Sequence, residues 1–266
     1  MPLRLKNRTT RKKAAPQNPI QAVEKGLRLL NAFTLQTPEW GVRELGRELG
    51  INPSTTHRLI KTLQAAGYVD RDSAAPRYRL GPKVVELAYV YTHINPLPSV
   101  ALKIFEAHSD RFKFNFYLCA LRGYQLVYLA RLEGRGPIKV SAEPGQRLAL
   151  HSSAAGKVLL AFQEENFLAD YLKHTRLKAY TERTIMNPEA LRRELGQTRE
   201  RDWAQNDGEH YEEIGAVSVP VRDRGGSVIA SVSLAYPRYL LKEARLELPA
   251  LLDLARTISC EITAHI

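Results

Sequence analysis

Asn52-Pro53-Ser54-Thr55-Thr56-His57-Arg58-Leu59-Ile60-Lys61-Thr62-Leu63 decides how the front of this chain folds. Asn52 suits an N-cap, because its side-chain oxygen can accept from the free amides of a first helical turn. Pro53 suits the first helical position, where a missing N–H costs nothing and φ is already set. Thr56, Leu59, Ile60 and Leu63 then recur at i, i+3, i+4 and i+7, so they share one helical face. The opposite face carries Ser54, Thr55, His57, Arg58 and Lys61, with short hydroxyls near the start and cations further along. That face suits DNA base edges and phosphates. It equally suits an ordinary amphipathic surface helix, and the neighbouring segments decide between the two.

Upstream, Ile20, Val23, Leu27, Leu30 and Phe33 predict a first helix from Pro19 to Thr34, broken by Thr37-Pro38. Val42, Leu45 and Leu49 predict a short second helix that Gly50 ends in the left-handed region. Gly50-Ile51-Asn52 then connects it to the helix quoted above, with Ile51 expected between the two and Gly67 closing the second. Helix, tight glycine turn, helix is helix-turn-helix spacing. Downstream, Tyr68–Arg71 and Arg77–Leu80 read as two strands around a polar turn at Asp72–Pro76, a hairpin or wing. Arg71, Arg77 and Arg79 of that wing are placed to reach the DNA backbone.

Charge agrees with this. The 266 residues carry a net +11, and six cations (Arg4, Lys6, Arg8, Arg11, Lys12, Lys13) precede the first acidic residue, Glu24. Such a tail, with few apolar residues to bury, is expected to be disordered. It is either a solvated leader or a strand-like arm on phosphates beside the helix. No apolar run approaches a membrane span, and no signal-peptide core follows the basic start. Cys119 and Cys260 form neither a metal spacing nor a disulfide framework. They fit structural thiols, and a cytoplasmic location with no membrane partner is expected.

Gly81-Pro82 opens another helix, with Val84, Leu87, Ala88 and Tyr91 on one face, ending near Asn95-Pro96-Leu97-Pro98. Its apolar stripe needs a partner, either its own domain or the same helix of a second subunit. Beyond lies mixed α and β: a helix from Ser99 to about Phe112, then strands Phe114–Leu121, Leu126–Leu132 and Ile138–Ser141, the first two joined at Arg122-Gly123-Tyr124. Helices are expected over Ser152–Phe162, Glu165–Lys173 and Pro188–Trp203, strands over Val217–Val221 and Val228–Leu234, and a last helix from Lys242 to about Ala264.

Several stretches together resemble the IclR-type transcriptional regulators. They are Ala22-Val23-Glu24-Lys25-Gly26-Leu27, Ser54–Leu59, Arg77-Tyr78-Arg79-Leu80-Gly81, the run Gly145–Lys157 and Tyr180-Thr181-Glu182-Arg183-Thr184. Asp202–Ser233 also matches, with Glu209, Pro220-Val221 and Ser231-Val232-Ser233 in register. The resemblance implies an α+β protein: an N-terminal winged helix-turn-helix joined by a linker helix to a GAF-like effector-binding domain. The expected division is a disordered basic tail over 1–18, the DNA-binding domain over 19–81, the linker helix over 82–97 and the effector-binding domain over 98–266. It further implies a homodimer or tetramer on a near-palindromic operator in double-stranded DNA, responding to a small organic acid. Carried across by motif, the pocket positions are Ala154, Ala155, Asn206, Ala216 and Ser233. The family often has Asp at 206, Cys at 216 and a second Ser at 235, where this chain has Asn206, Ala216 and Ala235. Each change removes charge or polarity, which favours a larger, more apolar effector such as an aromatic acid of a catabolic pathway. Asp202 and Glu213 replace family glycines.

Enzyme constellations fail on their spacing. Ala154-Ala155-Gly156-Lys157-Val158 lacks the Ser or Thr and the leading glycine of a P-loop. His151-Ser152-Ser153 lacks a G-x-S-x-G elbow. His57 has no second metal ligand nearby, so neither metal, cofactor nor catalytic residue is expected. Ser152 or Ser153 is expected to cap the helix that follows, whose first amides also suit an anionic ligand. Arg131 and Arg147 are candidates for a ligand carboxylate, or for surface salt bridges. The competing functional class is a small-molecule enzyme or sensor whose basic end docks to nucleic acid without specificity.

Overall fold

A computed structural model describes residues 20–72, 75–136, 140 and 142–265. The expected tail over 1–18 lies outside these residues, as do part of the expected wing turn and, apart from Val140, the expected strand Ile138–Ser141. The chain falls into two compact units, the first ending at His93 and the second beginning at Ile94.

In the first unit α1 covers Gln21–Leu30, ending short of Thr34. The Ala32 and Phe33 amides reach back only to the Leu29 and Leu30 carbonyls, a tighter turn than the α-helix. The Trp40 indole donates to the Ala32 carbonyl at 2.9 Å, and Phe33 turns into the core. Trp40–Gly41 form β1, too short to show as a pattern in the sequence. Next is α2, Val42–Leu49, closed by Gly50 at φ 64 with the Ile51 amide donating to the Gly46 carbonyl at 2.8 Å. This is the glycine-closed end expected there. Helix α3 spans Pro53–Ala65 with Asn52 as N-cap, its Oδ1 accepting from the Thr55 amide at 2.8 Å. Thr56 is buried and donates to the Asn52 carbonyl at 3.0 Å.

Gly67, at φ 77, closes α3 before β2 (Val69–Arg71) and β3 (Arg77–Leu80). These pair antiparallel with Val69 opposite Leu80, and β1 adds to the other side of β3 with Trp40 opposite Tyr78. The wing is therefore three-stranded. Leu29, Phe33, Trp40, Leu45, Ile60, Val69 and Tyr78 form one core beneath the helices. Helix α4, Lys83–Ile94, completes the stretch, and none of its side chains is buried. Val85 is 70% exposed and Ile94 72%, with Leu87, Tyr89 and Val90 also in solvent.

The second unit opens on α5, Pro96–His108, three residues earlier than Ser99. Its prolines stand in the first turn, where an absent N–H breaks no helical bond, so they start α5 directly after the Asn95 break that ends α4. After a 3₁₀ turn at Ser109–Arg111 come β4 (Asn115–Arg122), β5 (Gln125–Leu132) and β6 (Arg147–Ala149). Three helices follow: α6 (Ala154–Ala161), α7 (Glu165–His174) and α8 (Pro188–Arg201). Then β7 (Ala204–Asp207), β8 (Ile214–Arg222) and β9 (Val228–Pro237) complete a six-stranded antiparallel sheet in the order β6-β5-β4-β9-β8-β7. Strands β6 and β7 carry no apolar alternation and were not legible beforehand. The final helical stretch is divided into α9 (Leu241–Leu246) and α10 (Leu248–His265). Pro249 accounts for the break, since its ring clashes with the carbonyl four residues earlier.

Alternation along the strands sorts the sheet into two faces. Phe116, Leu118, Val217, Val219, Val232 and Leu234 pack with α5 and α10 in one core. Tyr117 and Cys119 face the other core, with Leu159 of α6, Leu168 and Tyr171 of α7 and Leu191 of α8. Asp202 ends α8 at φ 64, the left-handed conformation a glycine adopts without strain, and its carboxylate accepts twice from Arg222 at 2.6 and 3.2 Å.

The angle between α2 and α3 depends on Gly46. A Cβ there would lie 2.8 Å from the Ile51 carbonyl oxygen and 2.9 Å from the Thr56 hydroxyl. Gly46→Val is expected to destabilise the first unit by about 1–3 kcal/mol. The check is an earlier urea transition in Trp40 fluorescence, in a Trp203→Phe background; an unchanged transition would mean the two helices do not meet at Gly46.

Candidate functional site

The first unit presents one polar helix face. Ser54, His57, Arg58 and Lys61 are exposed on α3 and Thr55 is half-buried, while Thr56 and Ile60 on the far side are buried. Arg71 and Arg79 are exposed on the wing. Arg77 differs from expectation: its guanidinium donates to the Glu39 carbonyl and to the Glu44 carboxylate, each at 3.2 Å. It clips β3 to the start of α2.

The second unit contains a small pocket, a cavity of about 70 Å³. Ala154, Ala155, Asn206, Ala216 and Ser233 all line it, brought together from α6, β7, β8 and β9. Arg131 and Arg147 do not. Arg131 donates to Glu143 at 2.6 Å and to Glu133 at 3.0 Å, and Arg147 donates to Gln125 at 3.1 Å across β6 and β5. Neither is among the described lining residues, and the partners they take fit the surface role that was the other expectation for them. The remaining wall is mostly aromatic and apolar: Tyr117, Tyr128, Leu148, His210, Tyr211 and Ile214 among others. Motif matching passed these over because strand register, not local pattern, turns Tyr117 and Tyr128 inward. His210 and Tyr211 were adjacent to Glu209, which matched, and that adjacency was the available signal.

Helix α6 delivers its first turn to the pocket. Ser153 is the N-cap: its Oγ accepts from the Gly156 amide at 3.1 Å and donates to the Ala149 carbonyl at 3.0 Å. A Cβ on Gly156 would lie 2.2 Å from the Leu150 carbonyl oxygen, so glycine lets the helix start this deep in the unit. The Ala154 and Ala155 amides, at the first two helical positions, have no intrahelical acceptor and point their partial positive charge outward from the helix end.

One turn on, Lys157 is 1% exposed and donates to Glu209 at 2.6 Å, with Glu194 at 3.6 Å. Arg201 donates to Glu194 at 2.8 Å and lies over the Trp203 ring, so the charges form a chain running from the buried Lys157–Glu209 pair to half-buried Glu194 and Arg201. Burial pushes Glu209 above the usual carboxylate range, and the Lys157 ammonium pulls it back only in part. Ser152 and His210 share a 2.8 Å hydrogen bond, and the His210 ring stands 4.0 Å from Tyr180 and 4.7 Å from Tyr211. Burial, helped by His151 and Lys178, lowers His210 from 6.5 to about 4. His210 is therefore neutral at pH 7, and among the described residues that line the pocket there is no lysine, arginine or carboxylate.

Two family models cover the chain. The one described as bacterial transcriptional regulator IclR C-terminal matches residues 90–262, and the IclR helix-turn-helix domain matches residues 22–73. The chain belongs to the IclR family. The HTH-type transcriptional regulator XynR of Escherichia coli is 33% identical over 216 residues, 81% of this chain and 86% of that one. An IclR transcriptional regulator from Alicyclobacillus acidocaldarius superposes with TM-score 0.82 at 25% identity, covering 92% of this chain and all of that one. An IclR homologue from Microbacterium hydrocarbonoxydans, solved with 4-hydroxybenzoate, has the same fold at TM-score 0.77 and 24% identity, over 91% of this chain and 99% of that one. The DNA-binding helix-turn-helix and the α+β unit with its curled sheet are thus those of an IclR-type transcriptional regulator.

The depressed His210 makes stability pH-dependent. Unfolded, the ring takes its proton near pH 6.5; folded, only near pH 4. The unfolded state therefore binds more protons between those values, so the contribution is complete above pH 6.5 and lost as pH falls through about 4. In IclR-type regulators of this sequence, His210→Gln should flatten the fall of the urea midpoint between pH 6.5 and 4, and an identical slope would remove His210 as its cause.

Proposed function

We propose that this IclR-family protein is a ligand-responsive regulator that binds a near-palindromic operator through α3 and senses a small aromatic carboxylic acid in the α6 pocket. The observation that carries this is the pocket's make-up: amides at a helix start that no described residue engages, set into aromatic and apolar walls. A carboxylate is favoured at such a helix end, and a flat ring suits tyrosine and histidine faces better than a two- or three-carbon keto acid does. An acid of this kind accompanies the like-folded Microbacterium protein. The serine–histidine contact does not argue for hydrolysis, since Ser152 is fully buried. The regulator reading is preferred to the enzyme one, with the cytoplasm as its location.

DNA contacts are assigned to Ser54, Thr55, His57, Arg58 and Lys61 on α3 and to Arg71 and Arg79 on the wing. The solvent-exposed apolar side chains of α4 support a homodimer or larger assembly, because so much hydrocarbon on one helix is costly to leave in water. Two α3 helices in a dimer read half-sites about one DNA turn apart, or a multiple of it. Acid bound in the pocket shifts the subunit arrangement, and linkage makes operator DNA change acid affinity by the same factor.

The test is fluorescence anisotropy of the purified protein on DNA from upstream of its own and neighbouring genes. It is run over a salt series against scrambled DNA, with aromatic and keto acids. Binding above the scrambled control that one aromatic acid alters is expected. Equal, salt-sensitive binding to both DNAs overturns the operator assignment. Arg58→Ala should cost about 1–3 kcal/mol of operator affinity. Val85→Glu with Val90→Glu should shift the mass in analytical ultracentrifugation to that of a monomer and weaken operator binding; an unchanged mass removes α4 from the interface.

A further inference from the structure

We infer that Tyr211 is the gate of the pocket: its side chain closes the mouth in this structure and swings into solvent to let a ring-bearing ligand enter or leave. This rests on the reading of the pocket as the effector site and adds how that site is reached.

The cavity measures about 70 Å³, whereas an apolar cavity of about 150 Å³ is what accommodates benzene. A benzene ring carrying a carboxylate therefore enters only if part of the wall moves. Much of the wall is fixed. Tyr117 and Tyr128 stand on the paired strands β4 and β5, with their rings edge to face at 5.3 Å. The start of α6 is held by its Ser153 cap and by the grip of Lys157 on Glu209. Among the described lining residues Tyr211 alone is exposed, at 58%.

Tyr211 stands between β7 and β8, where the main chain is pinned on both sides. Before it, the Glu209 amide donates to Asn206 Oδ1 at 2.7 Å, and the Glu209 carbonyl accepts from the Thr184 hydroxyl at 2.6 Å. After it, the Ile214 amide donates to the Tyr211 carbonyl at 3.1 Å and the Arg238 amide to the Glu213 carbonyl at 2.8 Å. The side chain is held far less. Among the described residues no hydrogen bond tethers its hydroxyl, and its one ring contact is edge-on to His210 at 4.7 Å. His210 is itself anchored, by Ser152 at 2.8 Å and by the Tyr180 ring at 4.0 Å. The imidazole is thus a fixed post and the phenol the moving part. Rotation of Tyr211 from one staggered rotamer to another opens the mouth without disturbing the backbone. An aromatic pair of this kind is worth about two- to tenfold in an equilibrium constant, enough to keep the mouth mostly shut and too little to lock it.

Stopped-flow mixing of the full-length protein with salicylate, an aromatic acid whose own fluorescence reports binding, tests this. Tyr211→Ala is expected to raise the association and dissociation rates together, each by about two- to tenfold. A side chain that only touches the ligand would, when removed, speed dissociation and leave association as it was. That result, or unchanged rates, in a variant that far-UV circular dichroism establishes as folded overturns the gate and leaves the pocket reading standing. If Tyr211→Ala does not fold, Tyr211→Leu, which also loses the ring contact to His210, is measured instead and should speed both rates in the same sense. No binding of salicylate, benzoate or 4-hydroxybenzoate by the natural sequence, or binding unaffected by filling the cavity with Ala216→Leu, overturns the pocket reading and the gate with it.

Discussion

The contact between Lys157 and Glu209 is the constraint on which the second unit's site depends. Both groups are buried, and bringing two charges out of water costs several kcal/mol per ion unless each finds close partners. Lys157 finds Glu209 at 2.6 Å and Glu194 at 3.6 Å, and Arg201 balances Glu194. Removing one member of such a pair typically costs about 3–5 kcal/mol, because the other is left alone in the interior. The pair therefore fixes the distance between the start of α6 and the segment after β7. Among the described lining residues, the polar side chains stand on one of those two pieces or on the sheet between them.

What was legible in the sequence follows from how local its cause is. The capped start of α3, the glycine close of α2 and the two wing strands arise within a few residues, and Asn52, Pro53, Gly50 and Gly67 announce them. The apolar runs of β4, β8 and β9 also showed, because each is buried on both faces, and β5 showed although most of it is only half-buried. Strands β1, β6 and β7 did not, being two to four residues long and made into strands only by the neighbour they pair with. The overrun of α1 has the same origin: its apolar spacing continues to Phe33, but Trp40, ten residues from the helix end, captures the Ala32 carbonyl.

The site divides along the same line. Ala154, Ala155, Asn206, Ala216 and Ser233 reached the pocket by matching a family pattern. Arg131 and Arg147 were named for their chemistry alone, and chemistry does not say which way a strand residue points. Carboxylates at Glu133, Glu143 and the amide of Gln125 settled their fate instead. The ring of Tyr117 illustrates the converse. Its hydroxyl donates to the Val140 carbonyl, a contact that only the fold brings about.

The neighbours in the sheet have a consequence for how the protein is made. Strands β4 and β9 lie side by side at its centre, with Asn115 opposite Ala235, although about 120 residues separate them in the chain. The helix-turn-helix unit closes on contacts within its own short span and can fold as it leaves the ribosome. The β4–β5 hairpin cannot complete its sheet then. At roughly 5–20 residues per second it waits on the order of ten seconds for β9 to be synthesised, with the β4 edge unpaired. During that interval the nascent chain depends on chaperones or on speed of translation to stay out of intermolecular pairing, while its DNA-binding end is already finished.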